Sequence, residues 1–76
     1  AIEAYRAAAV LDPTNPRTPY QLGVSYEIEG RFAEALEQYR RAAELDPENP
    51  KPRERMASLR ARLGARAGGD FTRSAP

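Results

Sequence analysis

Neither cysteine nor histidine occurs among the 76 residues of this chain. Without cysteine no disulfide can staple the fold and no thiolate can hold a metal, while the redox compartment stays open. Without histidine the commonest general base and metal ligand is missing. Ser25, Ser58 and Ser74 therefore have no imidazole beside them, and a serine without a base is a poor nucleophile. No run approaches the roughly 18 apolar residues of a membrane span, and no signal peptide is visible. Gly64 and Gly68-Gly69 make no phosphate loop, because no Gly-Lys-Ser/Thr follows them and no strand pattern precedes them. These absences point away from an enzyme and leave no catalytic residue, metal ligand or cofactor to assign.

What remains is a short chain at the lower edge of lengths that bury a self-sufficient core. Its first residue, Ala1, falls inside a helical pattern, so the expectation is a piece of a longer chain whose upstream part is missing. Net charge is +1 but unevenly divided. Residues 1–49 carry five Arg against nine acids, whereas residues 50–76 carry six Arg and one Lys against Glu54 and Asp70. The basic second part would suit an acidic partner or an anionic surface, or merely a solvated terminal helix.

The chain repeats itself. Shifted by 34 positions, Ala1, Glu3, Tyr5, Arg6, Ala8, Ala9, Leu11, Asp12, Pro13, Asn15 and Pro16 fall on identical residues, eleven of sixteen. Such a period is the mark of a helix–turn–helix repeat. In residues 1–11, Ile2, Tyr5, Ala8 and Ala9 form one apolar stripe at helical spacing. Asp12-Pro13 ends that helix. The next helix has two possible starts. One is Asn15-Pro16; the other is Thr18-Pro19-Tyr20-Gln21, a capping box with proline in the first turn. A frayed start near Pro16, followed by regular helix over 19–29, is favoured. Gly23 inside this helix costs about 1 kcal/mol against alanine, which implies the close approach of another helix. Gly30 should cap the end in a left-handed conformation.

A further helix over 31–45 carries Phe32, Ala35, Leu36, Tyr39, Ala42 and Ala43 on one stripe, with Asp46-Pro47 closing it. A last helix over 50–63, stopped by Gly64, has only a narrow stripe of Met56, Leu59 and Leu63 among arginines. One apolar side and one polar side suit the end of a stack. Residues 65–76 lack periodicity and read as a flexible tail, with Phe71 as a lone aromatic.

Leu22-Gly23, Tyr26, Gly30, Phe32, Ala35, Tyr39, Ala42 and Leu45-Asp46-Pro47 together resemble the tetratricopeptide repeat family, over residues 1 to about 50. Pro19 departs from the large aromatic usual at its position. The resemblance implies an all-α fold, an antiparallel helix–turn–helix solenoid fragment with a C-terminal capping helix. Residues 1–13 would be the second helix of a truncated repeat, with one face unsatisfied in isolation. Residues 14–47 would be one complete hairpin and 48–64 the cap. It also implies a protein–protein interaction scaffold, the C-terminal end of a longer array, whose first helices line a groove for a partner segment. The groove positions are Arg17, Tyr20, Gln21, Val24, Glu27 and Ile28, and on the last helix Lys51, Glu54, Arg55 and Ser58. Some family members hold a terminal carboxylate with Lys, Asn and Arg. Lys51 and Arg55 match two such positions and Gln21 a third, whereas Tyr20 and Val24 depart from the polar pair.

Two other chemistries have candidate residues. Glu34 and Glu37 share a helix face and could meet a cation, but Arg31, Arg40 and Arg41 beside them describe a solvated charged surface. Lys51, Arg53, Arg55, Arg60, Arg62 and Arg66 could track phosphates. No aromatic stands on that helix to stack bases.

Overall fold

A computed structural model describes the backbone of residues 2–74 and the side chains of residues 2–64. Four helices follow one another: α1 (Ile2–Leu11), α2 (Arg17–Ile28), α3 (Phe32–Leu45) and α4 (Lys51–Ser74). Among the described residues there is no strand. Each helix packs on its neighbour in the chain, most closely α2 on α3.

The helix starts obey the repeat. Asn15 Oδ1 accepts the Arg17 N–H at 3.0 Å, and Asn49 Oδ1 accepts the Lys51 N–H at 3.1 Å. Pro16 and Pro50 follow at the position where a missing N–H is harmless. Their carbonyls accept the amides of Tyr20 and Glu54, starting each ladder. The capping box at Thr18 is not used. Asn15 has already satisfied an orphan donor one turn earlier, so Thr18 lies within α2 and is buried.

Between α2 and α3 the chain turns through Gly30, at φ +79°. The Gly30 N–H donates to the Glu27 carbonyl at 3.0 Å and the Arg31 N–H to the Tyr26 carbonyl at 2.8 Å. This is the paired hydrogen bonding of a Schellman end. The Arg31 guanidinium then lies 4.8 Å from the Tyr26 ring centroid, covering the turn.

Short connection and apolar stripes bring α2 and α3 together as an antiparallel hairpin. Leu22, Tyr26, Ala35, Tyr39, Met56 and Leu59 form the core, with Ile2, Tyr5, Phe32 and Leu36 packed around it. Removal of a side chain of this size from water contributes on the order of 2 kcal/mol. Gly23 faces Tyr39 so closely that a Cβ there would sit 2.5 Å from Cε1 of the ring. Its absent side chain is thus required by contact.

On α4 the buried residues are Pro52, Met56 and Leu59, with Leu63 half-buried. Pro52 is a core residue that the apolar stripe did not include. It stands 34 positions after the buried Thr18 and plays the same part. Gly64 does not end the helix. It lacks the positive φ of a cap, and α4 continues to Ser74. An interior glycine costs only about 1 kcal/mol, and Ala65, Arg66 and Ala67 behind it are good helix formers. The expected tail is therefore helical as far as Ser74, while the Phe71 side chain lies outside those described. Residues that would receive a further hairpin, Arg53, Ala57 and Arg60, are exposed. At the other end α1 has no buried residue, and Val10 and Leu11 are 80% and 86% exposed.

Candidate partner-binding trough

α2 and α4 begin from equivalent Asn-Pro caps, and side chains of both helices line common hollows. Their outward faces bound a trough. At its entrance Arg17, Tyr20, Gln21 and Lys51 line a pocket of about 210 Å³, closed behind by Ala42, Asp46 and Pro52. Next along, Tyr20, Lys51, Glu54 and Arg55 surround a more open hollow. Val24, Glu27, Ile28, Arg55 and Arg62 line a third. Nine of the ten expected groove residues are thus brought together. Ser58 is exposed and lines none of these hollows.

Several of the nine are not available in the way the sequence suggested. Tyr20 and Val24 are half-buried and packed against the core. The Tyr20 ring lies 5.6 Å from that of Tyr39, tilted by 57°. It forms floor rather than a projecting contact. Glu27 is tied inward, because the Tyr39 hydroxyl donates to Glu27 Oε1 at 2.8 Å. The reason is position: Tyr39 has no exposed surface, and a buried phenol needs a partner. Ile28 is the opposite case, a large apolar side chain 81% exposed.

Around Glu27 the electrostatics converge. Arg55 Nη1 is 3.8 Å from Oε1 and Arg62 Nη1 is 3.6 Å from Oε2. The Arg62 guanidinium also lies 5.3 Å from the Phe32 ring centroid. Arg55 Nε donates to the Tyr20 hydroxyl at 3.4 Å, and this bond, ahead of nearby charges, raises its already high pKa. Burial pushes the Tyr39 phenol well above its usual range, and its bond to the Glu27 carboxylate adds to that. Sequence reasoning did not place Arg62 here. The signal was present, since Arg62 is the repeat counterpart of Ile28.

Both acids of the α3 pair are engaged by arginines of the same chain. Glu34 takes a two-pronged ion pair from Arg31 at 2.6–2.7 Å, and Glu37 pairs with Arg40. The hydrogen bond from Arg40 is the main reason the Glu37 carboxyl is held below its usual range. Arg41, one turn further along α3, stands farther off at 3.8 Å. Among the described residues no cluster could hold a metal ion, and no helix is long and apolar enough to cross a membrane.

Comparison with curated proteins gives no match. Residues 20–49 match the family model described as tetratricopeptide repeat. That span holds the close Gly23–Tyr39 contact, the Gly30 turn and the Asp46-Pro47 close. Such repeats serve in general as scaffolds for protein–protein interaction. From the family match, the glycine contact and the Gly30 turn, we conclude that residues 20–49 form a tetratricopeptide repeat hairpin.

Proposed function

We propose that the chain receives an extended segment of another protein in the α2–α4 trough, with α4 closing a stack of repeats. The observation carrying this reading is Ile28. It stands fully out on the trough wall beside Val24, where neither core nor capping requires it. Arg17, Gln21 and Lys51 give the segment polar contacts at the entrance. Helix packing holds the trough in shape beforehand, so binding orders little of this chain. The exposed Val10 and Leu11 on α1 are where a preceding unit of the array would pack, and the exposed Arg53 and Arg60 keep the opposite side of α4 soluble.

The phosphate-tracking alternative is weakened by the same geometry. Arg53 donates to the Pro47 carbonyl at 2.6 Å, and Glu27 and Glu54 interrupt the basic residues along the trough, so no continuous phosphate track forms. To test the trough, a displayed peptide library is selected on the full chain and the enriched peptides are measured against Ile28→Ala and Ile28→Glu. Exposed substitutions of this kind stay within about 0.5 kcal/mol in stability, so helicity is unchanged. Binding should weaken several-fold with alanine and vanish with glutamate. Peptides that bind both variants like the parent place the site elsewhere.

A further inference from the structure

We infer that the segment taken by this trough carries acidic side chains, and that Glu27 is their internal stand-in, occupying Arg55 and Arg62 until a partner carboxylate displaces it. The inference rests on the trough being the binding site. Arg17, Lys51, Arg55 and Arg62 line it against Glu27, Asp46 and Glu54, a net balance of one positive charge, and the Arg55 and Arg62 end holds two bases against Glu27 alone. Glu27 is part of the wall, anchored by the Tyr39 hydroxyl at 2.8 Å.

The two arginine contacts are of another kind. At 3.8 and 3.6 Å they are ion pairs beyond hydrogen-bond reach. Both arginine side chains remain half-exposed or more, whereas Glu27 is 18% exposed. The guanidiniums therefore lean over a fixed carboxylate without closing on it. An incoming carboxylate approaching from solvent can take either guanidinium in two-pronged fashion, the stronger arrangement. Glu27 then keeps its bond from Tyr39, so its displacement leaves no buried acceptor unpartnered.

Spacing gives the segment a scale. Lys51 and Arg62 lie about 16 Å apart along α4 at a rise of about 1.5 Å per residue. An extended chain covers that distance in about five residues. The apolar wall of Val24 and Ile28 lies alongside. The occupant is thus an extended stretch in which acidic and apolar residues alternate, read through side chains along its length.

The probes are eight-residue peptides of alternating Leu and Glu, blocked at both ends, with Gln-for-Glu and Lys-for-Glu counterparts and a twelve-nucleotide uridine RNA. Each is labelled and titrated by fluorescence anisotropy at low salt and at 150 mM. On the unaltered chain the Glu peptide should bind at least about ten-fold tighter than the Gln peptide. Glu27→Gln, which still accepts from Tyr39, should tighten the Glu peptide about three- to ten-fold, and Arg62→Gln should weaken it. Equal binding of the Glu and Gln peptides, both weakened in Ile28→Ala and lost in Ile28→Glu, leaves the trough in place and overturns the acidic preference. An unchanged or weakened Glu peptide with Glu27→Gln overturns the stand-in role. RNA binding tighter than the Glu peptide, or no peptide binding at all, overturns the inference outright.

Discussion

Replacing Gly23 by alanine sets two physical effects against each other with opposite signs. Helix propensity alone favours alanine by about 1 kcal/mol. Against this, the new Cβ would lie 2.5, 2.7 and 2.9 Å from three carbons of the Tyr39 ring, far inside ordinary contact. The ring cannot yield cheaply. It has no exposed surface, lies against Tyr20, and is fixed at its far end by the bond to Glu27. Overpacking of this sort costs about 1–3 kcal/mol, and losing a hydrogen bond to a charged acceptor about 1.5–3 kcal/mol more. The balance is a loss of about 1.5–5 kcal/mol. A domain of this size has only about 4–11 kcal/mol in all. The midpoint of thermal unfolding should therefore fall on the order of 10–30 °C, followed by far-ultraviolet circular dichroism and confirmed by urea titration of the full chain. Tyr39→Leu removes the opposing ring, so Gly23→Ala made in that background should cost much less, a positive coupling in the double-mutant cycle. A Gly23→Ala chain as stable as its parent would refute this reasoning, because helix propensity would then outweigh the clash with the ring.

Three further expectations follow from Gly30, Gly64 and the tyrosine. Gly30→Ala should destabilise by about 1–2 kcal/mol although nothing blocks the new methyl, because φ is positive there. Gly64→Ala, in helical conformation with open space around it, should stabilise by about 0.5–1 kcal/mol; thermal midpoints shifting in the same direction for both would contradict this. Tyr39→Phe should lose about 1.5–3 kcal/mol at neutral pH with its bond to Glu27. Because the folded state holds the phenol protonated, its contribution is full below the usual tyrosine pKa of 10.0. It declines above that pH as the unfolded chain gives up the proton, by up to about 1.4 kcal/mol per pH unit. Urea midpoints of parent and Tyr39→Phe should thus converge between about pH 9.5 and 11, and parallel curves would show that Tyr39 ionises alike in both states.

The hairpin was legible because its signals are local and doubled by the repeat. Asp12-Pro13 and Asp46-Pro47 close equivalent helices, and Gly30 has the left-handed conformation its place between two stripes demands. The misreadings have one source, competition between local signals that only packing decides. Thr18-Pro19 is a sound cap in isolation, yet burial of Thr18 in the core leaves Asn15 to do the capping. Gly64 resembles a stop, but the helix formers after it carry α4 on. In the trough the shared helical face was legible in the sequence, but the use each side chain is put to was not. Which residues share a face follows from period. Whether Tyr20 lies down on Tyr39, or Glu27 turns inward, depends on a ring from another helix that no pattern within α2 reveals.

That sharing of residues between core and surface has a consequence for how such a trough can change. Tyr20 contacts Tyr39 and accepts from Arg55, and Glu27 accepts from Tyr39 while facing Arg55 and Arg62. A substitution at either disturbs binding and stability together. Ile28, Arg17 and Lys51 are exposed and make no such internal side-chain contact. In the function proposed above, partner choice would therefore alter at the rim while the floor stays fixed. Binding in turn stabilises the fold by mass action, by about 2.7 kcal/mol at a hundredfold excess of ligand over Kd. For so small a domain that is a large share of the total, so filling the proposed trough and folding the hairpin are linked equilibria.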